Sequence, residues 1–250
     1  MITIIKMYKK IIYSLSSKPG KFGTTLYNHF FDDFKLPYIY NTAAIKNDYS
    51  FLNLLSLFLE TEMFYGFSIS MPFKNKAYDY FCNKNINIED SSIKAFNTIK
   101  KSDSIISGCL TDIYIYKRFV EKLPQNVNTI FIYGTGAMAK LARFYFTSNK
   151  YIINNVQKSD ISLAINHCSK NSNTAFINAT PIDIRKIIDI SSISFLMLDL
   201  PVRINEKCSN SNYYSGFWAT KIQFQKQFKF YCGIQLESKC IEKACIKLFI

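Results

Sequence analysis

The stretch "NTIFIYGTGAMAKLARFYF", residues 128–146, decides the fold because an apolar run leads through a glycine turn into an amphipathic segment. The pattern predicts a buried strand, a tight turn and a helix. Gly134 permits the turn, Gly136 lets the backbone approach a pyrophosphate, and Ala139 is small enough for close helix–strand packing. G-x-G-x-x-A alone is a weak signal, since a plain strand–turn–helix shares it. The strand–helix context nevertheless favours a dinucleotide site, with Ala137 at the start of the helix.

The choice of dinucleotide depends on the segment about 20 residues beyond the glycines, where an NAD site carries an acid for the ribose hydroxyls. Here the segment reads "INNVQK", residues 153–158, and contains no acid. Asn155 and Lys158 are therefore the candidate ribose residues, and the Lys158 ammonium offers a charge to a 2′-phosphate. This favours NADP only slightly and leaves NAD open, because arginine is the better phosphate clamp.

Outward from this unit, hydrophobic periodicity and capping residues predict alternating strands and helices. Strands are predicted at 36–45, 67–71, 95–100, 104–109, 151–154, 174–178 and 193–199. Helices are predicted at 49–60, from about 75, and at 111–123, 217–231 and 237–249. This alternation is typical of an α/β architecture with largely parallel sheets.

The composition indicates a globular protein with a substantial core, since 48% of the 250 residues are hydrophobic and 20% are charged. No apolar run is long enough to cross a bilayer, and the N-terminus does not have the pattern of a signal peptide. Seven cysteines without a CxxC pair argue against a disulfide framework or a metal site. We therefore expect reduced thiols and a cytoplasmic location, with no membrane partner.

The net charge of +13 invites a nucleic-acid hypothesis. The lysines are scattered, however, and biased AT-rich coding explains the abundance of Lys, Asn, Ile, Tyr and Phe. A specific nucleic-acid partner is therefore ranked last among the function classes. A basic surface still favours anionic ligands such as carboxylates and phosphates.

Seven short motifs follow one another along nearly the whole chain. They read "SLSSKPGKFGTTLYNHFFDDFKLPYIY" (14–40), "GFSISMPFK" (66–74), "AFNTI" (95–99), "GCLTD" (108–112), "GTGAMAK" (134–140), "NATPID" (178–183) and "SGFWATKIQ" (215–223). In this order they resemble the shikimate dehydrogenase family. The resemblance is stronger to its shikimate dehydrogenase-like branch, in which the first motif carries P-x-x-F-G-T.

The resemblance implies an α/β catalytic domain at 1–112, completed by C-terminal helices at 224–250. A shortened Rossmann-like NADP-binding domain would occupy 113–223, with the active site in the cleft between the two domains. The implied reaction is the reversible NADP-linked reduction of 3-dehydroshikimate to shikimate, in the shikimate pathway towards chorismate and the aromatic amino acids. Quinate is an alternative substrate, and a monomer or a homodimer is expected.

The resemblance also assigns the acid–base pair, because Lys74 matches the catalytic lysine of the family and Asp112 its aspartate. A ketone that accepts a hydride needs a proton at its oxygen, or a charge that stabilises the developing alkoxide. Taken alone, Lys74 would be a solvated surface lysine, and Asp112 a helix N-cap beside Thr111. Two matching motifs favour a shared site instead.

The remaining implied site residues are hydroxyl, amide and small side chains. For the substrate they are Ser14, Ser16, Ser70, Asn97 and Gln223; for the cofactor, Thr180 and Gly216 join Gly134, Gly136, Ala137, Ala139, Asn155 and Lys158. Thr25 is an alternative to the two N-terminal serines, because an insertion before "GTTLYN" makes the alignment ambiguous. Local turn bonds for the hydroxyls and satisfied core positions for the amides are the structural alternatives.

Several positions depart from the family pattern. Ser68 and Leu110 each replace an asparagine, and Ile113 and Asp183 each replace a glycine. Leu196 replaces an aspartate, and Asp199 replaces a tyrosine. Asp183 lies near the expected nicotinamide position, where a bulky anion would obstruct the ring. The span from Gly134 to Asn178 is also shorter than the family pattern predicts. A non-catalytic homologue that binds a small polyol acid is therefore the second function class.

Overall fold

The computed structural model describes residues 8–84, 86–89, 92–102, 105–202 and 210–249. The chain divides into two compact units. The first unit comprises Met1–Thr111 and Gln227–Ile250, and the second unit comprises Asp112–Lys226.

Eleven strands are present among the described residues. They are β1 (Lys10–Ser16), β2 (Tyr38–Ala44), β3 (Phe64–Ile69), β4 (Ile86–Ile88), β5 (Thr98–Ser102), β6 (Ile105–Cys109), β7 (Thr129–Tyr133), β8 (Ile152–Val156), β9 (Thr174–Asn178), β10 (Leu196–Asp199) and β11 (Tyr213–Ser215).

Eight α-helices accompany these strands in the described part of the chain. They are α1 (Lys21–Asp33), α2 (Asp48–Glu60), α3 (Lys74–Phe81), α4 (Ile113–Val120), α5 (Ala137–Ser148), α6 (Ile161–Lys170), α7 (Gly216–Cys232) and α8 (Ser238–Phe249). Short 3-10 turns occupy Lys158–Asp160, Ile184–Lys186 and Ile190–Ser192.

The sheet of the first unit has six strands in the order β2-β1-β3-β5-β6-β4. β1 pairs in parallel with β2 and β3, whereas β5 runs antiparallel to both β3 and β6. This sheet is therefore mixed rather than largely parallel. β5 is the antiparallel strand of this sheet. It forms a hairpin with the next strand, β6, and the two strands of a hairpin run in opposite directions.

The sheet of the second unit has five strands in the order β11-β10-β9-β7-β8, and all of its pairs are parallel. β7 and β9 are buried along their full lengths, as central strands covered on both faces are. Ala139 of α5 is fully buried in the core beside Ile130 and Ile177. The close helix–strand packing predicted from the glycine pattern is thus present, and the α/β class is confirmed.

Element boundaries differ from the predictions by a few residues. β3 ends at Ile69 rather than at 71, and α3 already begins at Lys74. The span from Gly134 to Asn178, shorter than the family pattern predicts, contains α5, β8 and α6. The second unit therefore keeps a complete β–α unit next to its glycine turn.

No helix among the described residues is long and apolar enough to cross a membrane. Within the same residues, no group of three His, Cys, Asp or Glu side chains is arranged to hold a metal ion.

Candidate functional site

The glycine turn between β7 and α5 contains two glycines that have different structural roles. Gly134 has a φ of +127°, and a Cβ added there would lie 2.9 Å from the carbonyl oxygen of Ala179. Gly136 has an ordinary φ of −72°, and a Cβ added there would meet no atom within 4 Å. Gly134 is thus required by the fold, whereas Gly136 leaves room in front of the α5 N-terminus.

A cavity of about 410 Å³ lies in front of this turn. Gly134, Gly136, Lys158 and Thr180 contribute to its wall. The bare backbone at Gly136, where a Cβ would fill the space, and the amides at the start of a 12-residue helix suit the phosphates of a dinucleotide. The residues present therefore fit the cofactor that the glycine pattern predicts.

A buried hydrogen-bond network fixes the loop that carries Thr180. The Asn178 amide nitrogen donates to Asp199 Oδ1 at 2.7 Å, and the Tyr213 hydroxyl donates to Asp199 Oδ2 at 2.6 Å. The Thr180 hydroxyl and backbone N–H both donate to Asn178 Oδ1 at 2.7 and 3.1 Å. Asp199 replaces a family tyrosine, and this network shows how the carboxylate is accommodated inside the protein.

Gly216 was predicted to contact the cofactor, but packing alone also requires a glycine at this position. A Cβ at this position would overlap the backbone carbonyls of Leu200 and Pro201. Gly216 begins α7, so glycine lets this helix start against the end of β10.

Asp183, the anion in place of a family glycine, is paired with Arg185. The Arg185 guanidinium donates from Nε to Asp183 Oδ1 and from a terminal nitrogen to Oδ2, both at 2.8 Å. The Arg185 backbone N–H also donates to Asp183 Oδ1 at 3.1 Å, which caps a 3-10 turn. Part of the negative charge that the sequence places near the nicotinamide is therefore compensated within the loop.

Asp112 and Gln223 meet in the second unit although 111 positions separate them in the chain. The Gln223 amide nitrogen donates to Asp112 Oδ1. Asp112 is 3% exposed and occupies the N-cap position of α4, but its side chain makes no capping hydrogen bond. The structure therefore does not support the capping alternative, and it joins two residues predicted to belong to one site.

Asn97 lies at the centre of a buried network in the first unit. Its amide oxygen accepts from the Thr111 backbone N–H at 2.8 Å, the Thr111 hydroxyl at 3.0 Å and the Thr98 hydroxyl at 3.1 Å. Because the oxygen takes three donors, the amide nitrogen is the atom that can donate to a ligand. The network thus fixes which end of this amide is presented.

The same network continues to two residues that the motifs did not indicate. The Gln227 amide nitrogen donates to the Thr98 hydroxyl at 2.9 Å, and the Tyr27 hydroxyl donates to Gln227 Oε1 at 2.8 Å. Burial raises the pKa of Tyr27 well above its usual value. Tyr27 is therefore held neutral, as a donor that locks Gln227.

The two predicted N-terminal serines differ in their bonding. Burial raises the pKa of Tyr40 to about 12, and the Ser14 side chain lies close enough to lower it slightly. Ser16 is buried, and its hydroxyl has no hydrogen-bond partner. Thr25, the alternative, donates its hydroxyl to the backbone oxygen of Lys21 at 3.2 Å, whereas the buried Thr24 hydroxyl has no partner. Ser16 is thus the serine whose hydroxyl remains for a ligand.

Lys74 and Ser70 both follow the carboxyl end of β3. Ser70 is exposed, and its backbone N–H donates to Leu15 of β1 at 2.9 Å. Lys74 is half-buried as the first residue of α3, and its N-cap residue Phe73 is buried. The strand end predicted from the sequence therefore carries both side chains.

The predicted residues separate by unit. The first unit holds Ser14, Ser16, Ser70, Lys74 and Asn97; the second holds Asp112, Gln223 and the predicted cofactor residues. Sequence reasoning missed Gln227, although it follows Gln223 by four residues, a spacing that places both on one helix face. It also missed Arg143, and it missed Tyr27 and Tyr40, although both tyrosines lie within the first motif.

Comparisons with known proteins extend over the whole chain. No protein-family model matches it. The chain is 23% identical over 264 residues to the shikimate dehydrogenase-like protein of Haemophilus influenzae, covering 94% of this chain and 95% of that one. It is 28% identical over 127 residues to a shikimate dehydrogenase (NADP(+)) of Clostridium perfringens, covering 50% of this chain and 45% of that one.

Two solved structures share the fold. A shikimate dehydrogenase in complex with NADP+ superposes with a TM-score of 0.70 at 21% identity, covering 97% of this chain and 96% of that one. The shikimate 5-dehydrogenase of Listeria monocytogenes, in complex with shikimate and NAD, gives a TM-score of 0.72 at 15% identity, covering 97% and 98%.

The mixed sheet, the parallel sheet and the glycine turn define an α/β protein with a Rossmann-like unit. The resemblance inferred from the seven motifs is confirmed. The chain is similar over nearly its whole length to the shikimate dehydrogenase-like protein.

Proposed function

We propose that the protein is an NADP-linked oxidoreductase that reversibly reduces 3-dehydroshikimate to shikimate. The observation that carries this proposal is the hydrogen bond between buried Asp112 and Gln223, which joins two predicted site residues from distant motifs. The curated NADP(+)-dependent relatives and the solved relative with bound shikimate support the substrate and the reaction class. A cytoplasmic location, a role in the shikimate pathway and a monomeric or homodimeric state remain predictions.

A bound nicotinamide dinucleotide would supply the hydride for reduction and accept it in the reverse reaction. Gly134, Gly136 and Thr180 line the cavity that suits its phosphates, and Lys158 adds a positive charge there. Solved relatives bind NADP+ in one case and NAD in another, so both cofactors belong in the assay.

Lys74 and Asp112 are proposed to manage the proton. In reduction, Lys74 gives a proton to the ketone oxygen as negative charge develops on it, and in oxidation it receives that proton. Asp112 accepts a hydrogen bond from a substrate hydroxyl, and its bond from Gln223 holds the carboxylate in one orientation. Asn97 donates from its amide nitrogen to a ring hydroxyl, and Ser16 donates to the substrate carboxylate.

A rate assay with purified protein, shikimate and NADP, then NAD, tests the proposal through the absorbance of the reduced cofactor. We expect Lys74→Ala and Asp112→Ala each to lower turnover by about 100-fold or more, the usual scale for a positioned acid–base group. Lys76→Ala is the matched control, because Lys76 lies on the same helix and forms an exposed ion pair with Asp48. Its turnover should stay at the wild-type level. Wild-type rates in both test variants would remove the pair from the mechanism.

A second candidate is a non-catalytic homologue that binds a small polyol acid. It is favoured by Asp183, which replaces a glycine of the family pattern, and by the short span from Gly134 to Asn178. Fluorescence of the only tryptophan, Trp218, provides the test, because the residue lies in the second unit. Saturable binding of NADPH with turnover supports the enzyme, whereas binding of shikimate without turnover supports the second candidate. Quinate assayed in parallel separates the two polyol substrates.

A further inference from the structure

The end of β8 is the place where a Rossmann-like unit distinguishes NAD from NADP. In NAD sites, an acid about 20 residues beyond the glycines binds the ribose hydroxyls, whereas a nearby arginine accommodates a 2′-phosphate. Here Asn155 lies within β8, directly before its last residue, Val156. The side chain at this position is thus a neutral amide, which does not repel a phosphate.

Arg143 reaches this position from α5. Its Nε donates to Asn155 Oδ1, and a terminal nitrogen of the same guanidinium donates to the backbone oxygen of Gly134. Gly134 and Val156 both line the 410 Å³ cavity. The guanidinium therefore bridges Gly134 of the glycine turn, which lines the cavity, and Asn155 near the end of β8.

The Arg143 charge remains available to an anionic ligand. A guanidinium has five N–H donors, and the two bonds to Gly134 and Asn155 use two of them. Both acceptors are neutral, and within the described residues no carboxylate forms an ion pair with Arg143. Lys158, which lines the same cavity, adds a second positive charge. Two cations beside a ribose position suit a phosphate rather than a pair of hydroxyls.

We propose that Arg143, assisted by Lys158, recognises the ribose 2′-phosphate and sets a preference for NADP over NAD. The inference rests on the proposed function and deepens it, since it names the residue that chooses between the two cofactors. Arg143 occupies a position outside the glycine pattern and outside the segment 153–158, where the sequence offered only Lys158.

A purely structural role for Arg143 predicts a different result. If the guanidinium only braced the glycine turn, its replacement would weaken binding of phosphorylated and unphosphorylated nucleotides to the same degree. The decisive quantity is therefore the ratio of two dissociation constants measured on one protein. This ratio does not depend on the fraction of a variant that is folded.

Isothermal titration calorimetry with adenosine 2′,5′-bisphosphate and with ADP measures this ratio without any chemistry. Wild-type protein should bind the 2′-phosphorylated fragment more tightly. We expect Arg143→Gln to lower the affinity for adenosine 2′,5′-bisphosphate by about 10- to 100-fold, the scale of a lost charge-assisted contact. The affinity for ADP should fall by less than about threefold. Lys122→Gln, which removes one exposed positive charge elsewhere in the second unit, should leave both affinities unchanged.

Asn155→Asp is an independent variant, because it restores the acid of an NAD site and repels a 2′-phosphate. We expect it to shift the ratio in the same direction as Arg143→Gln, and NADPH and NADH titrations should follow the fragments. An unchanged ratio in both variants would overturn the inference, as would a wild type that binds the two fragments equally while still binding NADPH and NADH. Failure of wild-type protein to bind any of these nucleotides would overturn both the inference and the proposed function.

Discussion

Asn97 and its threonine neighbours in the first unit are bonded to one another, whereas Gly136 and Lys158 at the glycine turn border an open space. In the first unit, Asn97 accepts three hydrogen bonds inside the protein. In the second unit, Gly136 faces a region with no atom within 4 Å of an added Cβ, and Lys158 lines a 410 Å³ cavity. The first arrangement fixes the orientation of a single amide, and the second leaves space for a large ligand.

This difference predicts whether a substitution lowers the stability of the protein or its affinity for a ligand. The members of a buried network satisfy one another, so removal of one member leaves other buried groups unsatisfied. A cavity wall tolerates changes in the folded state and loses ligand affinity instead. The two regions should therefore separate stability from binding, and the predictions below test that separation.

The largest effect on stability is expected for Asn97→Ala. The change leaves the Thr111 N–H and two threonine hydroxyls without their acceptor, and each buried unsatisfied group costs about 1–3 kcal/mol. We expect the free energy of unfolding to fall by about 3 kcal/mol, measured by urea denaturation. Ser70→Ala is the matched control, because it alters an exposed predicted substrate residue and should change stability by less than about 0.5 kcal/mol. Equal midpoints for the two variants would show that the network is not what stabilises this region.

An intermediate effect is expected at the glycine turn, where two neighbouring glycines should respond differently. Gly134→Ala forces a side chain into a φ of +127° and against the Ala179 carbonyl, so the free energy of unfolding should fall by about 2 kcal/mol. Gly136→Ala has an ordinary φ and open space, so stability should be retained. Its added methyl enters the phosphate space, however, and we expect NADPH affinity to fall about tenfold. A stable Gly134→Ala protein with full NADPH affinity would contradict the assigned roles.

The sequence predicted β7 and α5 well because their signals are local. The apolar run, the glycines and the following helix lie within one continuous stretch, and β7 and α5 form there. The sequence failed for α1, α6 and β1, because their apolar positions carry many polar and aromatic neighbours and no clear capping pattern. The mixed sheet was also missed, since strand direction depends on a hairpin pairing that no single segment specifies.

Site prediction shows the same division between local and distant signals. Asn97, Asp112 and Gln223 were predicted as site residues because each lies within a short motif. Arg143 was missed because a long side chain on α5 reaches back to the glycine turn and across to β8, a contact that requires the folded backbone. Gln227 and Tyr27 were missed for a similar reason, since 200 positions separate them in the chain.

The smallest effect is expected for substitution of Asp183. Its result bears on whether the second unit can use a nicotinamide cofactor. The loop carboxylate is paired with Arg185 through two 2.8 Å hydrogen bonds and is 25% exposed, so this ion pair contributes about 1 kcal/mol or less to stability. Asp183→Gly restores the residue of the family pattern. If Arg185 already holds the Asp183 carboxylate within the 3-10 turn, kcat/KM of Asp183→Gly for the NADP-linked reaction should rise by less than about threefold. The reason is that a partly compensated surface charge exerts a weak field.

Arg185→Gln provides the opposite perturbation, because it keeps Asp183 and removes the compensating charge. We expect kcat/KM to fall a few-fold with little change in stability, measured in the same assay and by urea denaturation. A rise of tenfold or more in Asp183→Gly would instead show that the anion obstructs the nicotinamide. That result would make the loop that carries Asp183, and not the Asp112–Gln223 pair, the part of the protein that limits catalysis.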